Sequence, residues 1–197
     1  MSKAERTKEF IIEKASTIFN TKGYAGTSLA DLVEATGLTK GSIYGNFENK
    51  DEVAVAVYEY NVNALSKRLD DTIGIKKTAL DKLMAFTEYY RTNWKKTFER
   101  GGCPILNASI EADDNLPFLK KGVQDSIKKW ALRISKIIEE GKQNGEFKKE
   151  INHTEYAYTM ITLIEGGIML SKIMNNQKLL FSALDRIETI INMEIKK

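Results

Sequence analysis

Thr27-Ser28-Leu29-Ala30-Asp31-Leu32-Val33-Glu34-Ala35-Thr36-Gly37-Leu38-Thr39-Lys40-Gly41-Ser42-Ile43-Tyr44-Gly45-Asn46-Phe47 is the stretch on which the reading of the fold turns. Thr27 stands where a helix N-cap belongs, Leu29, Leu32 and Val33 recur at helical spacing, and Gly37 is a natural stop. Thr39 then caps a second short helix that runs towards Tyr44 or Phe47. Two short helices joined by a glycine-containing turn let the second enter the major groove of DNA while the first crosses the backbone. Ile43 and Phe47, four residues apart, are expected to face the core. That leaves Thr39, Lys40, Ser42, Tyr44 and Asn46 to hydrogen-bond outward. Gly41 costs about 1 kcal/mol relative to alanine inside a helix, so its presence implies that backbone there comes close to a phosphate or a neighbouring helix.

Working outward, helix follows helix. From Lys3 to Lys22, Phe10, Ile11, Ala15, Ile18 and Phe19 fall at steps of three and four, and Gly23 is the expected stop. Asn49 caps a fourth helix that opens on Asp51 and Glu52 and runs to about Asp71. A fifth carries Leu83, Tyr90, Trp94 and Phe98. Pro104 suits the first turn of a sixth, and Asp113, Asp114, Asn115 and Pro117 introduce a seventh. Thr154 caps an eighth that reaches about Met174, and a ninth carries Leu180, Leu184, Ile187 and Ile191. Two prolines in 197 residues leave long stretches free of helix breakers.

Composition narrows the chemistry. One cysteine, Cys103, and one histidine, His153, exclude an internal disulfide and a Cys/His zinc site. The charged N-terminal run has no secretory character, and the most apolar window, Tyr156 to Leu170, falls short of a bilayer span. A cytoplasmic protein with no membrane partner, no metal and no cofactor is expected. An enzyme is not, because no phosphate-cradling glycine loop or ligand cluster is present. The net charge of +3 is no argument for DNA; any binding depends on local placement of donors. Lys3, Arg6 and Lys8 read either as a solvated terminal face or as an arm beside the phosphate backbone.

From Phe10 to about Val53 the chain resembles the DNA-binding domain of the TetR/AcrR family of bacterial transcriptional regulators. The resemblance rests on Ala15, Ile18 and Phe19, on Lys22-Gly23-Tyr24, Thr27-Ser28-Leu29 and Asp31-Leu32, on Gly37 through Tyr44, and on Phe47 and Asn49-Lys50-Asp51-Glu52. It implies an all-α fold of about nine helices. A three-helix helix-turn-helix domain over residues 1–50 is followed by a larger helical ligand-binding and dimerisation domain over 51–197. It also implies an interface of Thr27, Ser28, Thr39, Lys40, Gly41, Ser42, Tyr44, Asn46 and Lys50 to an operator in double-stranded DNA. Thr27, Tyr44 and Lys50 would bind phosphates; Thr39, Lys40 and Ser42 would lie nearest the bases. Gly45 departs from the larger side chain that relatives usually hold at its position, so their operator sequences do not transfer.

The implied function is that of a repressor, or an activator with the same DNA-binding mode, that acts as a homodimer and answers a small-molecule effector. The apolar content of the last two helices places the dimer interface on Ile161, Ile164, Ile168, Leu180, Leu184, Ile187 and Ile191, with Gly166 and Gly167 permitting close approach. Candidate ligand contacts are Tyr89, Tyr90, Trp94, Phe98, Cys103, Asn107, Trp130, Tyr158 and Met160. They would make a mainly apolar pocket for an apolar or aromatic molecule. Cys103, at a glycine-flanked turn before a helix, offers an alternative as a sensor of oxidants or electrophiles.

Overall fold

The computed structural model of the chain describes residues 2–114 and 116–197, with Asp114 by its backbone alone. Among the described residues it is all-α. The helices are α1 (Lys3–Gly26), α2 (Leu29–Thr36), α3 (Lys40–Tyr44), α4 (Lys50–Gly74), α5 (Ala79–Glu99), α6 (Pro104–Asp114), α7 (Pro117–Gln143), α8 (His153–Ile173) and α9 (Lys178–Ile190). A π-helical turn over Ile191–Ile195 closes the order. No helix among the described residues is long and apolar enough to cross a membrane. The chain packs as two units, residues 1–65 with 100–124 and residues 66–99 with 125–197. These units differ from the expected division at residue 50, because α4 runs on past it and residues 100–124 pack with the N-terminal helices.

In the first unit the apolar stripe of α1 sets the core. Ile11 and Ala15 are fully buried against Leu32 of α2, Ile43 of α3, Phe47, and Val53 and Val57 of α4. Ser2 caps α1 and exchanges hydrogen bonds with Glu5, so the helix is ordered from its first turn. At its other end Gly23 has φ +73°, and a Cβ there would run into a Glu111 carboxylate oxygen. The left-handed backbone and that close approach together require glycine. Glu111, on α6, accepts the N–H groups of Tyr24 at 2.9 Å and Ala25 at 3.1 Å, beyond the kink. Asp113 and Asp114 end α6 instead of introducing α7; Asn115, expected beside them, lies outside the described residues.

In the second unit α8 packs on α9 and α9 on α5, and α5, α7, α8 and α9 bury Leu83, Phe86, Ile134, Ile138, Ile164 and Leu184. Glu146, after α7, accepts the N–H groups of Ala79 and Leu80 at the start of α5. Asn152, not Thr154, caps α8 and accepts from the N–H groups of Thr154 and Glu155. Gly167 lets α8 and α9 touch, since a Cβ there would stand 3.0 Å from both Ala183 Cβ and Leu180 Cδ1. Both contacts are within one chain, whereas Gly166 has open space around it.

Candidate nucleic-acid interface

The second short helix, α3, is five residues long and depends on anchors outside itself. Thr39 caps it, its hydroxyl accepting the Ser42 N–H at 3.2 Å. Ile43 is fully buried and Phe47 almost so, both in the core formed with α1, α2 and α4. With that face fixed, Thr39, Lys40, Gly41 and Tyr44 are exposed and Ser42 and Asn46 half-exposed, as the four-residue spacing predicts. Asn46 is partly occupied, since its amide donates to the Ser42 carbonyl at 2.8 Å. A side chain at Gly41 would meet only Thr39 Oγ1, at 3.9 Å, so no neighbouring helix accounts for the glycine.

α2 departs from the sequence reading at one residue. Its N-cap is Ser28, whose side chain accepts the Asp31 N–H while Asp31 accepts the Ser28 N–H at 2.7 Å, a complete capping box. Thr27 is the preceding residue, fully buried, and its hydroxyl donates to the Gly23 carbonyl at 2.6 Å. Its side chain therefore faces inward, and Ser28 is the exposed hydroxyl at this helix start. Asp31 also pairs with Lys22 at 2.5 Å. The Lys22 hydrogen bond and those from Ser28 hold its carboxyl far below the usual carboxylate range.

Lys50, at the first turn of α4, lies against Tyr24. Its ammonium donates to the Tyr24 carbonyl at 2.6 Å and sits 4.1 Å from the centre of that ring. Tyr24 in turn donates its hydroxyl to Asp51 and packs edge-on against Phe118 at 5.4 Å. Burial, reinforced by the hydrogen bond to Asp51, pushes its phenol up to about 12. Sequence reasoning missed Tyr24 and Glu111 as the residues that hold this corner, and spacing offers no signal for a contact between residues 87 apart. Lys8 is committed too: it pairs with Glu52 at 2.8 Å and lies 4.6 Å from the centre of the Phe47 ring.

The proposed effector contacts are dispersed. Cys103 is 1% exposed at the start of α6, so the accessible thiol that an oxidant sensor needs is missing. Asn107 donates to the Asn20 and Gly101 carbonyls and borders a cavity of about 40 Å³ in the first unit. In the second unit Tyr90 and Met160 are buried, Tyr90 edge-on to Tyr89 at 5.1 Å, and Trp94 meets Phe98 and Phe181 edge-on at 5.6 and 6.4 Å. Tyr158 is 42% exposed and belongs to an outer face. The indole N–H of Trp130 is buried without an acceptor among the described residues. No cluster of three or more potential metal ligands occurs among them.

The expected dimer residues need a larger correction. Ile161, Ile164, Ile168, Leu180, Leu184, Ile187 and Ile191 are 0 to 7% exposed in the single chain, because α8 and α9 spend those faces on each other and on α5. A side chain already buried in its own chain has nothing left to offer a partner. What stays exposed on α8 is a different stripe, with Tyr158, Met169, Leu170 and Ile173 at its apolar positions.

A buried apolar anchor under a short helix, a capped second helix beside it and outward polar side chains define a DNA-binding regulator of the helix-turn-helix class. Residues 11–57 match the family model described as bacterial regulatory proteins, tetR family, and residues 79–187 match the tetracyclin repressor-like C-terminal domain. The chain belongs to the TetR family of transcriptional regulators, and these proteins are not enzymes. A TetR-family regulator from Cytophaga hutchinsonii is 40% identical, with a TM-score of 0.95 over 100% of this chain and 98% of that one. One from Chloroflexus aurantiacus is 33% identical, with a TM-score of 0.94 over 100% and 99%. The repressor DhaR of Mycobacterium sp. (strain GP1) is 23% identical over 184 residues, 93% of this chain and 89% of its own.

Proposed function

We propose that the chain is a cytoplasmic one-component repressor that binds a palindromic operator as a homodimer and releases it when a small apolar or aromatic effector binds. The observation that carries this reading is the two-sidedness of α3: Ile43 and Phe47 hold it from beneath, while Thr39, Lys40, Ser42 and Tyr44 are left to face solvent. Lys40 has the reach and the donors for a base edge, and the Tyr44 hydroxyl those for a phosphate. Ser28, Thr39, Gly41 and Asn46 complete the face, Gly41 by letting backbone approach the DNA. Lys50 joins it by turning one of its three N–H donors from Tyr24 towards a phosphate. Residues 1–50 are assigned to DNA and 51–197 to effector and partner.

The dimer is assigned to the outer stripe of α8. Met169, Leu170 and Ile173 expose apolar side chains close together near its C-terminal end, with Tyr158 further back on the same side, the kind of exposed apolar surface that marks a protein interface. The effector is assigned to the second unit, around Trp94, Phe98 and Trp130. Trp130's unmatched N–H favours an effector that carries a hydrogen-bond acceptor, since a buried donor left unpaired is costly. An effector shifts DNA binding by its difference in affinity for the two states.

The test is binding to a duplex from upstream of the chain's own gene, followed by fluorescence anisotropy. Lys40→Ala is expected to weaken binding and relax sequence preference. Tyr44→Phe is expected to weaken binding alike on all sequences. Unchanged affinity and preference in Lys40→Ala would overturn the assignment of α3.

A further inference from the structure

The first 26 residues carry five basic and three acidic side chains, and these charges are sorted. On α1, Lys3, Arg6 and Lys14 follow one another at intervals of three and eight residues, together with Thr7 and Phe10, and so occupy one edge of the helix. Glu5, Glu9 and Glu13, spaced by four, occupy the adjacent edge. The two edges border different clefts. Lys3, Arg6, Thr7 and Phe10 line an open cleft of about 500 Å³ whose far wall is Leu38, in the turn between α2 and α3. Glu9 and Glu13 line the groove between α1 and α4.

We propose that Lys3 and Arg6 form a second anchor for the DNA backbone, beside the recognition helix, with a phosphate group of the duplex as its ligand. This rests on the operator-binding reading above and extends it. Leu38 is joined directly to Thr39, so the cleft abuts the residues assigned to the bases. A strand that meets Thr39 and Lys40 continues along a wall of positive charge. The anchor is a firm one, because Ser2 and Glu5 cap the first turn from which Lys3 and Arg6 project. Both side chains are exposed and neither is in an ion pair among the described residues, so neither must give up a partner to bind. Lys8, on the same helix, is held by Glu52 and Phe47 and takes no part. An anionic duplex fits this edge, and the acidic edge then points its repulsion elsewhere.

The test measures the salt dependence of binding over about 50 to 200 mM KCl for the wild type, the double variant Lys3→Gln/Arg6→Gln and Lys8→Gln. The probes are the upstream duplex and sheared genomic DNA. Each lost phosphate contact lowers the slope of log affinity against log salt by about 0.9. The double variant is therefore expected to lower it by up to about twice that per protomer, equally on both probes, while Lys8→Gln keeps the wild-type slope. A wild-type slope in the double variant, with intact binding by the wild type, overturns this anchor alone. An equal drop in Lys8→Gln also overturns it, since the effect would then be one of net charge. Wild-type protein that binds neither probe overturns the operator reading and the anchor with it. Circular dichroism confirms that the variants fold, and a loss of binding to anionic phosphatidylglycerol vesicles in place of DNA would assign the edge to a lipid surface and overturn the proposal.

Discussion

Leu170→Glu/Ile173→Glu separates the outer stripe of α8 from the inner one. In the single chain Leu170 is 47% and Ile173 75% exposed, so the two leave somewhat more than one whole apolar side chain open to water. Covering a leucine or isoleucine fully is worth about 1.5–3 kcal/mol. A two-fold interface uses the stripe twice. The pair of protomers thus forfeits about 4–7 kcal/mol, which weakens the dimer by roughly 10³- to 10⁵-fold at 1.4 kcal/mol per tenfold. The folded protomer loses almost nothing, because exposed substitutions stay within about 0.5 kcal/mol. Leu184→Ala is the counterpart: Leu184 is fully buried, and truncation there costs about 2–5 kcal/mol of folding stability while leaving the outer stripe whole. Sedimentation equilibrium measures association, and urea unfolding measures stability. A double variant that dimerises as tightly as the wild type, or a folded Leu184→Ala that is monomeric, refutes the reasoning.

Gly23→Ala is expected to destabilise the chain by about 1–2 kcal/mol from the left-handed backbone alone. It should lose more as the new methyl displaces Glu111 from the Tyr24 and Ala25 N–H groups, and urea denaturation reads the total. Tyr24 titrates at about 12 in the fold against an ordinary 10.0, so its raised phenol stabilises the fold below pH 10. That contribution is lost as pH rises from 10 through 12, and Tyr24→Phe is expected to remove this part of the alkaline fall in melting temperature. An unchanged alkaline profile in Tyr24→Phe would show that the phenol carries no such linkage.

Local features of the fold were legible because they are set by neighbours in the chain. The apolar spacing of Ile43 and Phe47 fixed which side of α3 is buried, and Thr39 and Asn49 cap because their side chains reach an N–H three residues on. The error at Thr27 is of the same kind. Two adjacent residues have hydroxyl groups, and only Ser28 has an aspartate at the third position after it to complete the box. At α8 periodicity runs out for a different reason: the helix has apolar side chains on both its inner and its outer face, so spacing cannot say which stripe meets α9. Glu111 and Trp130 were beyond reach altogether. The first acts on residues 86 and 87 positions away, and the second is distinguished by a missing acceptor, which no pattern of residue types records.

A five-residue helix such as α3 is too short to form unaided, since nucleation alone outweighs its few backbone bonds. Its shape is borrowed from Ile43, Phe47 and the helices beneath them. The residues turned to solvent contribute little to that shape, so they are free to change. Lys40 and Ser42, the side chains proposed to lie nearest the bases, can be exchanged one by one, and operator preference can drift on that reading, without the chain losing its ability to fold. On the proposed reading, stability and the choice of target sequence are written on opposite sides of the same single turn and a half, which makes this helix a place where new specificities arise at little cost.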